Sequence, residues 1–233
     1  YGTGRFLRSL FSRDRKKKAE AREGVFRPVR QPEWWQGDSQ YHPPAYEEPV
    51  SELERQLRSD KFVITAEISP PLSTATGKLK RDIEMVRELV AAVNFTDSAS
   101  ASPRMSSMAC CKVASELGAD PVLQIAARDK TRSGLQSEIV GANVMGVRNV
   151  LCITGDNARI GPTPTSNTNI LDMDAVQMLW ILRKMRDEGI YLDGRKMKSP
   201  PKLFLGAAAS PFASEPRFQA LREHKKINAG AQF

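Results

Sequence analysis

Two carboxylates stand where an α/β chain can place its chemistry. Asp156 follows Asn149-Val150-Leu151-Cys152-Ile153-Thr154-Gly155, whose apolar run without alternation suits a strand covered on both faces. Gly155 lets the backbone turn, so Asp156 falls just past the carboxyl end of that strand, where parallel folds build sites from their strand-to-helix loops. Glu67 lies inside Phe62-Val63-Ile64-Thr65-Ala66-Glu67-Ile68, a strand closed by Ser69-Pro70-Pro71. A carboxylate there faces an interior in which an unpaired charge is costly. Burial raises such a pKa and suits the group to general acid work near neutral pH. The alternative is a structural Glu paired with an Arg or Lys. Asp156 could equally be a helix N-cap, a metal ligand or the partner of a cationic intermediate. The two together also fit glycoside hydrolysis, which uses carboxylate pairs.

Other reactive types carry less. Arg128-Asp129-Lys130 reads as a polar, exposed loop, and Met105, Met108, Met145, Met178 and Met185 fall on apolar helix faces as core. Cys110 and Cys111 lie mid-helix with no nearby base, which disfavours a nucleophile. With Cys152, His42 and His224 they form no zinc-ligand spacing, so no metal site is expected, and no disulfide framework. This usage suits a reducing cytoplasm, and no secretory apolar region follows the basic N-terminus.

The elements that must position these residues follow from length and pattern. A chain of 233 residues, 40% hydrophobic and 27% charged, can form one large α/β domain with a sizeable core. No run of about 18 apolar residues is present, so no membrane span is expected. The formal charge of +8 is concentrated: residues 1–30 hold ten Lys or Arg against Asp14, Glu20 and Glu23, a net +7. The basic pI is thus a property of a tail, and nucleic acid is not an expected partner of the folded domain. Helical spacing runs over about 1–22, but a solvated or partly disordered connection from an upstream segment is the simpler reading of that tail, with a nucleic-acid or acidic-membrane contact as the alternative. Residues 24–50 hold Pro28, Pro32, Pro43, Pro44 and Pro49 among Trp34, Trp35, Tyr41 and Tyr46, an extended arm that packs across a surface. A short helix over 52–59 follows. Residues 1–60 are therefore read as an irregular extension and 61–233 as the domain. The start without Met and a last helix leading into an unfinished strand mark the chain as a fragment at both ends.

From residue 62 strands and helices alternate. Strands are predicted over 62–68, 92–96, 121–126, 149–153 and 202–209, with a sixth opening at Ala231; helices over 79–93, 103–117, 133–145, 174–187 and 216–228. Five β-α units and the start of a sixth predict a (β/α)₈ TIM-type barrel, incomplete within this chain. A doubly wound sheet is the rival, but Ser69-Pro70-Pro71 stands where a dinucleotide fold needs G-x-G-x-x-G. The catalytic rim would then receive Glu67, Thr96 to Asp97, Gln124 to Arg128, Thr154 to Asp156 and Ala207 to Ser210.

Five short motifs, in order and separated by β-α units, resemble the methylenetetrahydrofolate reductase family: Ala66-Glu67-Ile68-Ser69-Pro70-Pro71, Val93-Asn94-Phe95-Thr96-Asp97, the stretch from Pro121 to Asp129, the stretch from Gly146 to Asp156, and the stretch from Lys225 to Phe233. The resemblance covers about residues 60–233. It implies a flavin-containing barrel that reduces methylenetetrahydrofolate to methyltetrahydrofolate, in one-carbon metabolism, with electrons from NADH or NADPH. By resemblance Glu67 is the general acid that protonates the folate nitrogen, and Asp156 is the carboxylate beside the flavin that contacts folate and favours the ring-opened cation. Flavin contacts carry over to Thr96, Ala99, Gln124, Thr154, Gly155, Asp156, Ser210 and Lys226, the last as a phosphate partner. Gln124 stands where a His is common, Thr154 where an Arg is, and Asp97 where an aromatic is, which leaves FAD, the first expectation, and FMN both open. A flavin barrel acting on another substrate, as in proline dehydrogenases, is a second enzyme reading. A non-catalytic partner subunit is the reading from another class. The electron donor is a nicotinamide nucleotide or a partner redox protein, and the assembly a homo-oligomer or a complex subunit.

Overall fold

A computed structural model describes residues 40–59, 61–163, 171–213 and 215–233. The helical spacing over 1–22 and the tryptophans Trp34 and Trp35 lie outside the described residues. The compact unit that contains the sheet spans Gly37–Phe233.

Five parallel strands, β1 (Thr65–Ile68), β2 (Ala92–Phe95), β3 (Pro121–Ala126), β4 (Asn149–Ile153) and β5 (Phe204–Ala207), lie side by side in chain order. Between them run α2 (Gly77–Val86), α3 (Ser107–Glu116), α4 (Arg132–Val144) and α5 (Ala175–Asp187); α1 (Glu52–Leu57) precedes the sheet and α6 (Pro216–Ala229) follows it. Sequential order is the decisive feature. A doubly wound sheet reverses direction at a switch point, whereas successive right-handed crossovers in one direction place every helix on one face, as in a TIM-type barrel. Beyond β5, Gln232 N donates to Leu205 O at 2.7 Å and Ala207 N to Phe233 O at 3.0 Å, so the residues expected to open a sixth strand do pair along β5.

The two faces differ in kind. On the helix side Val93, Phe95, Leu123, Ile125, Val150 and Leu205 are fully buried. The inner face carries the residues in register across β1 to β5, Glu67, Asn94, Val122, Asn149 and Phe204. Its lower half is closed by α1, whose Leu53 packs with Ala91, Ala92, Val122 and Phe204. Asp120 anchors this plug, accepting from Leu53 N and from Asn149 Nδ2, both at 2.8 Å. Tyr46, in the arm before α1, donates to Glu54 Oε1 at 3.0 Å and lies 3.2 Å from Leu203 O; burial is the main cause that pushes its pKa up to about 12.

Several boundaries differ from expectation: the helix predicted over 103–117 starts at Ser107, capped by Ser106, and the strand predicted over 202–209 pairs only over Phe204–Ala207. The helix predicted over 79–93 ends at Val86 as α2, because Ala91 must turn inward and donate its N–H to Ile64 O at 2.8 Å before β2 begins. Pairing in β1 starts at Thr65 instead of residue 62, with Phe62 almost fully exposed.

Candidate functional site

Apart from Lys226, which lies in α6, the predicted site residues lie in the second half of a strand or in the loop that follows it, and the structure groups them into three sets. The first is a polar row on the inner face. Asn94 Nδ2 donates to Glu67 Oε2 at 2.7 Å and lies 3.5 Å from Gln124 Oε1. Glu67 forms no ion pair among the described residues, so the structural pairing with Arg or Lys is not what holds it. It is also exposed, not enclosed by apolar residues as the sequence suggests, because among the described residues β1 has a strand neighbour on one side only. Beside it Asn94 Oδ1 and Thr96 Oγ1 are buried without a hydrogen-bond partner among the described residues. Buried oxygens left unpaired in the middle of a polar row fit a ligand that brings its own donors.

The second set joins the loops after β2, β3 and β4. Asp156 is no N-cap: Asn157 caps the short turn Ala158–Ile160, and Asp156 Oδ2 accepts from Ser100 N at 2.8 Å, across the rim. Ala99 lies in the same short turn as Ser100. Asp97 Oδ2 accepts from Ala126 N at 3.0 Å and ties the end of β2 to β3. Gly155 has φ +86°, and a Cβ there would sit 3.0 Å from Ala126 Cβ and 3.2 Å from Arg128 Nη1, so both conformation and space require glycine. Thr154 Oγ1 accepts from Ala175 N at 3.3 Å, at the start of α5, where Asp174 and Gln177 form a reciprocal capping box.

The third set lies at the β5 side. Lys226 donates its Nζ to Ala208 O and to the Glu223 carboxylate at 3.1 Å, so the expected phosphate partner starts with two protein acceptors. Ser210 is exposed in the loop after β5. An open cleft of about 810 Å³ runs along β5 and α6 and is lined by Phe204, Ala207, Lys226 and Phe233. It reaches Lys226 but neither Glu67 nor Asp156.

All three cysteines are free and buried, and burial pushes the thiols of Cys110 to about 11 and of Cys152 to about 12, with Cys111 also driven up. A thiolate nucleophile is therefore disfavoured. Among the described residues no helix is long and apolar enough to cross a membrane.

Sequence reasoning gave two participants no role of their own, although Asn94 lies in a quoted motif and Arg128 on the expected rim. Asn94 was visible in principle, as a lone amide inside the apolar run Ala92-Val93-Asn94-Phe95. Arg128 was not, since its partners are backbone carbonyls in loops about 30 residues away in either direction.

No curated protein matches the chain. A family model described as Methylenetetrahydrofolate reductase matches residues 52–233, from the plug helix α1 through all five strands and every residue of the three sets. That match spans more than half of the chain, which therefore belongs to the methylenetetrahydrofolate reductase family, a family of folate-reducing and generally flavin-dependent oxidoreductases.

Proposed function

We propose that this chain reduces methylenetetrahydrofolate to methyltetrahydrofolate, using a bound flavin, FAD before FMN, recharged by NADH or NADPH. The observation that carries this reading is the pair of differently held carboxylates: Glu67, with one oxygen bonded to Asn94 and the other open, and Asp156, bonded into the loop that holds Ala99. Thr96, Gln124, Ala99, Thr154, Gly155, Ser210 and Lys226 would hold the flavin, and the unpaired buried oxygens of Asn94 and Thr96 support a ligand at this place. When bound, the flavin supplies hydride to the methylene carbon. The protein's part is placement and charge. Glu67 delivers a proton to the folate nitrogen that leaves as the five-membered ring opens. The Asp156 carboxylate faces the cation this creates and lowers its energy. Glu67 must be reprotonated before each turnover. In this reading the catalytic part lies within residues 61–233, and α1 serves as the plug beneath it.

The experiment is a flavin absorbance spectrum of the purified protein, followed by anaerobic mixing of the reduced protein with methylenetetrahydrofolate. Reoxidation of bound flavin with formation of methyltetrahydrofolate is expected. A flavoprotein that is reoxidised by another substrate and not by this one would move the chain to a different flavin barrel activity, and a protein that retains no flavin would favour a non-catalytic subunit.

A further inference from the structure

Arg128 looks ordinary in the sequence and occupies the centre of the rim. Its side chain is only 8% exposed, yet its guanidinium reaches into three loops. Nη1 donates to Asp156 O at 3.1 Å, Nη2 to Ser98 O at 3.1 Å, and Nε and Nη2 to Asp129 Oδ2 at 3.0 and 2.7 Å. Its backbone N–H donates to Thr154 O at 3.0 Å. A planar fork with five donors can hold carbonyls on two sides while pairing a carboxylate on a third; an ammonium cannot.

The loop it grips is held in an unfavourable shape. Ser98, Ser100 and Ala101 have φ of 46°, 56° and 53°, the left-handed region that residues with a Cβ avoid. Such a loop persists only where its surroundings impose it. Two contacts do so here: Arg128 on Ser98 O, and Asp156 Oδ2 on Ser100 N. Gly161 closes the same contact from the other loop, since a Cβ there would collide with Ala101 O.

We propose that Arg128 is the positioning residue of this site. By holding the Asp156 carbonyl it fixes the peptide from which the carboxylate projects, and by holding Ser98 it presents the Ser100 N–H that takes Oδ2. Oδ1 is thereby left as the oxygen that meets the ligand. In this arrangement Arg128 acts through Asp156, by way of its hydrogen bonds to the two loop carbonyls. The role rests on the assignment of Asp156 as the carboxylate that stabilises the folate cation. A displacement of that charge by a fraction of its contact distance is enough to cost rate.

The test is Arg128→Lys in the full chain, alone and combined with Asp156→Asn. Stopped-flow half-reactions should show flavin content and reduction by the nicotinamide donor retained, and the folate half-reaction slowed on the order of tenfold, in kcat more than in KM. In the Asp156→Asn background the same substitution should add no further loss, because no carboxylate remains to be aimed. Losses that multiply, or a parent rate for Arg128→Lys, would overturn the proposal. Should Arg128→Lys not fold, Asp129→Ala takes its place, since Asp129 is 52% exposed and holds the guanidinium from outside; a smaller loss is expected, again absent beside Asp156→Asn. Amide exchange at Ser100 in the ligand-free protein gives a readout without turnover. It should be faster in Arg128→Lys, and unchanged exchange would count against the latch. Were the parent unable to reduce methylenetetrahydrofolate, the functional assignment would fall, and Ser100 exchange would still decide whether Arg128 sets the loop.

Discussion

Glu67 and Asp156 are held by different kinds of partner, so their amides should fail in different ways. Glu67 receives one N–H from a side-chain amide and keeps an oxygen free. Glu67→Gln preserves size and a hydrogen bond to Asn94 but has no acidic proton. It should abolish the folate half-reaction while flavin reduction by the nicotinamide donor survives, and stopped-flow traces of the two halves would separate these. A Glu67→Gln protein that reduces methylenetetrahydrofolate at the parent rate ends the assignment. Asp156→Asn removes a charge and not a proton source, and it should slow the same half-reaction by about 10²-fold, a magnitude typical of one lost electrostatic stabiliser. Both carboxylates could be found in the sequence, because strand ends and a Gly before Asp156 locate them. What held them could not. Asn94, Ser100 and Arg128 become partners only through strand register and loop closure, which link residues 27, 56 and 28 positions apart.

At the scale of elements, the strands were readable for a physical reason: β2 to β5 are short, mostly apolar runs of four to six residues that pack under helices, while β1 is legible mainly from its apolar flanks and the prolines that close it. Helix ends were less so, as α2 shows, because Ala91 donates to Ile64 across the sheet and no local signal marks that bond. The plug α1 carries two predictions. Leu53, 1% exposed against Ala91, Ala92, Val122 and Phe204, should lose about 2–5 kcal/mol on substitution by Ala, measured by urea denaturation. Asp120 tests pH dependence. Desolvation outweighs the hydrogen bonds from Leu53 and Asn149 and raises its carboxyl above the ordinary value of 3.8. A raised carboxyl pKa in the folded state means that the protonated form is favoured on folding. Its stabilising contribution is complete below the unfolded pKa and is lost as pH rises through the folded one. The stability of the parent minus that of Asp120→Asn should therefore fall as pH rises from below about 4 towards neutrality. A difference that is flat or rising over that range would show that Asp120 gains more from its two donors than it loses to burial.

For the molecule as a whole, the question is which part of the first 60 residues the site depends on. Composition separates the basic residues 1–30 from the domain, and the helical pattern begins at about residue 52. Packing draws the line elsewhere, because the compact unit begins at Gly37. Within it Ala45 N donates to Asp187 Oδ1 at 3.2 Å, Tyr46 reaches Glu54 and Leu203, and Leu53 fills the inner face. The described part of the Pro-rich arm packs on the domain surface as its aromatics suggest, with none of residues 40–50 buried, and what composition does not mark are the particular bonds to Asp187 and Leu203 and the core position of Leu53. Two truncations of the full chain distinguish charge from packing. Removing residues 1–36 takes away most of the excess positive charge and should leave flavin content, both half-reactions and the urea midpoint at parent values. Removing residues 1–59 also deletes Leu53, Glu54 and Tyr46 and leaves Asp120 buried without the Leu53 N–H. Buried apolar surface and a hydrogen-bonded carboxylate are then lost together, and the urea midpoint should drop sharply, with flavin retention falling as a consequence. If the shorter truncation already abolishes flavin binding, the basic segment belongs to the site. If the longer one is harmless, the plug is dispensable and the inner face is held by the strands alone.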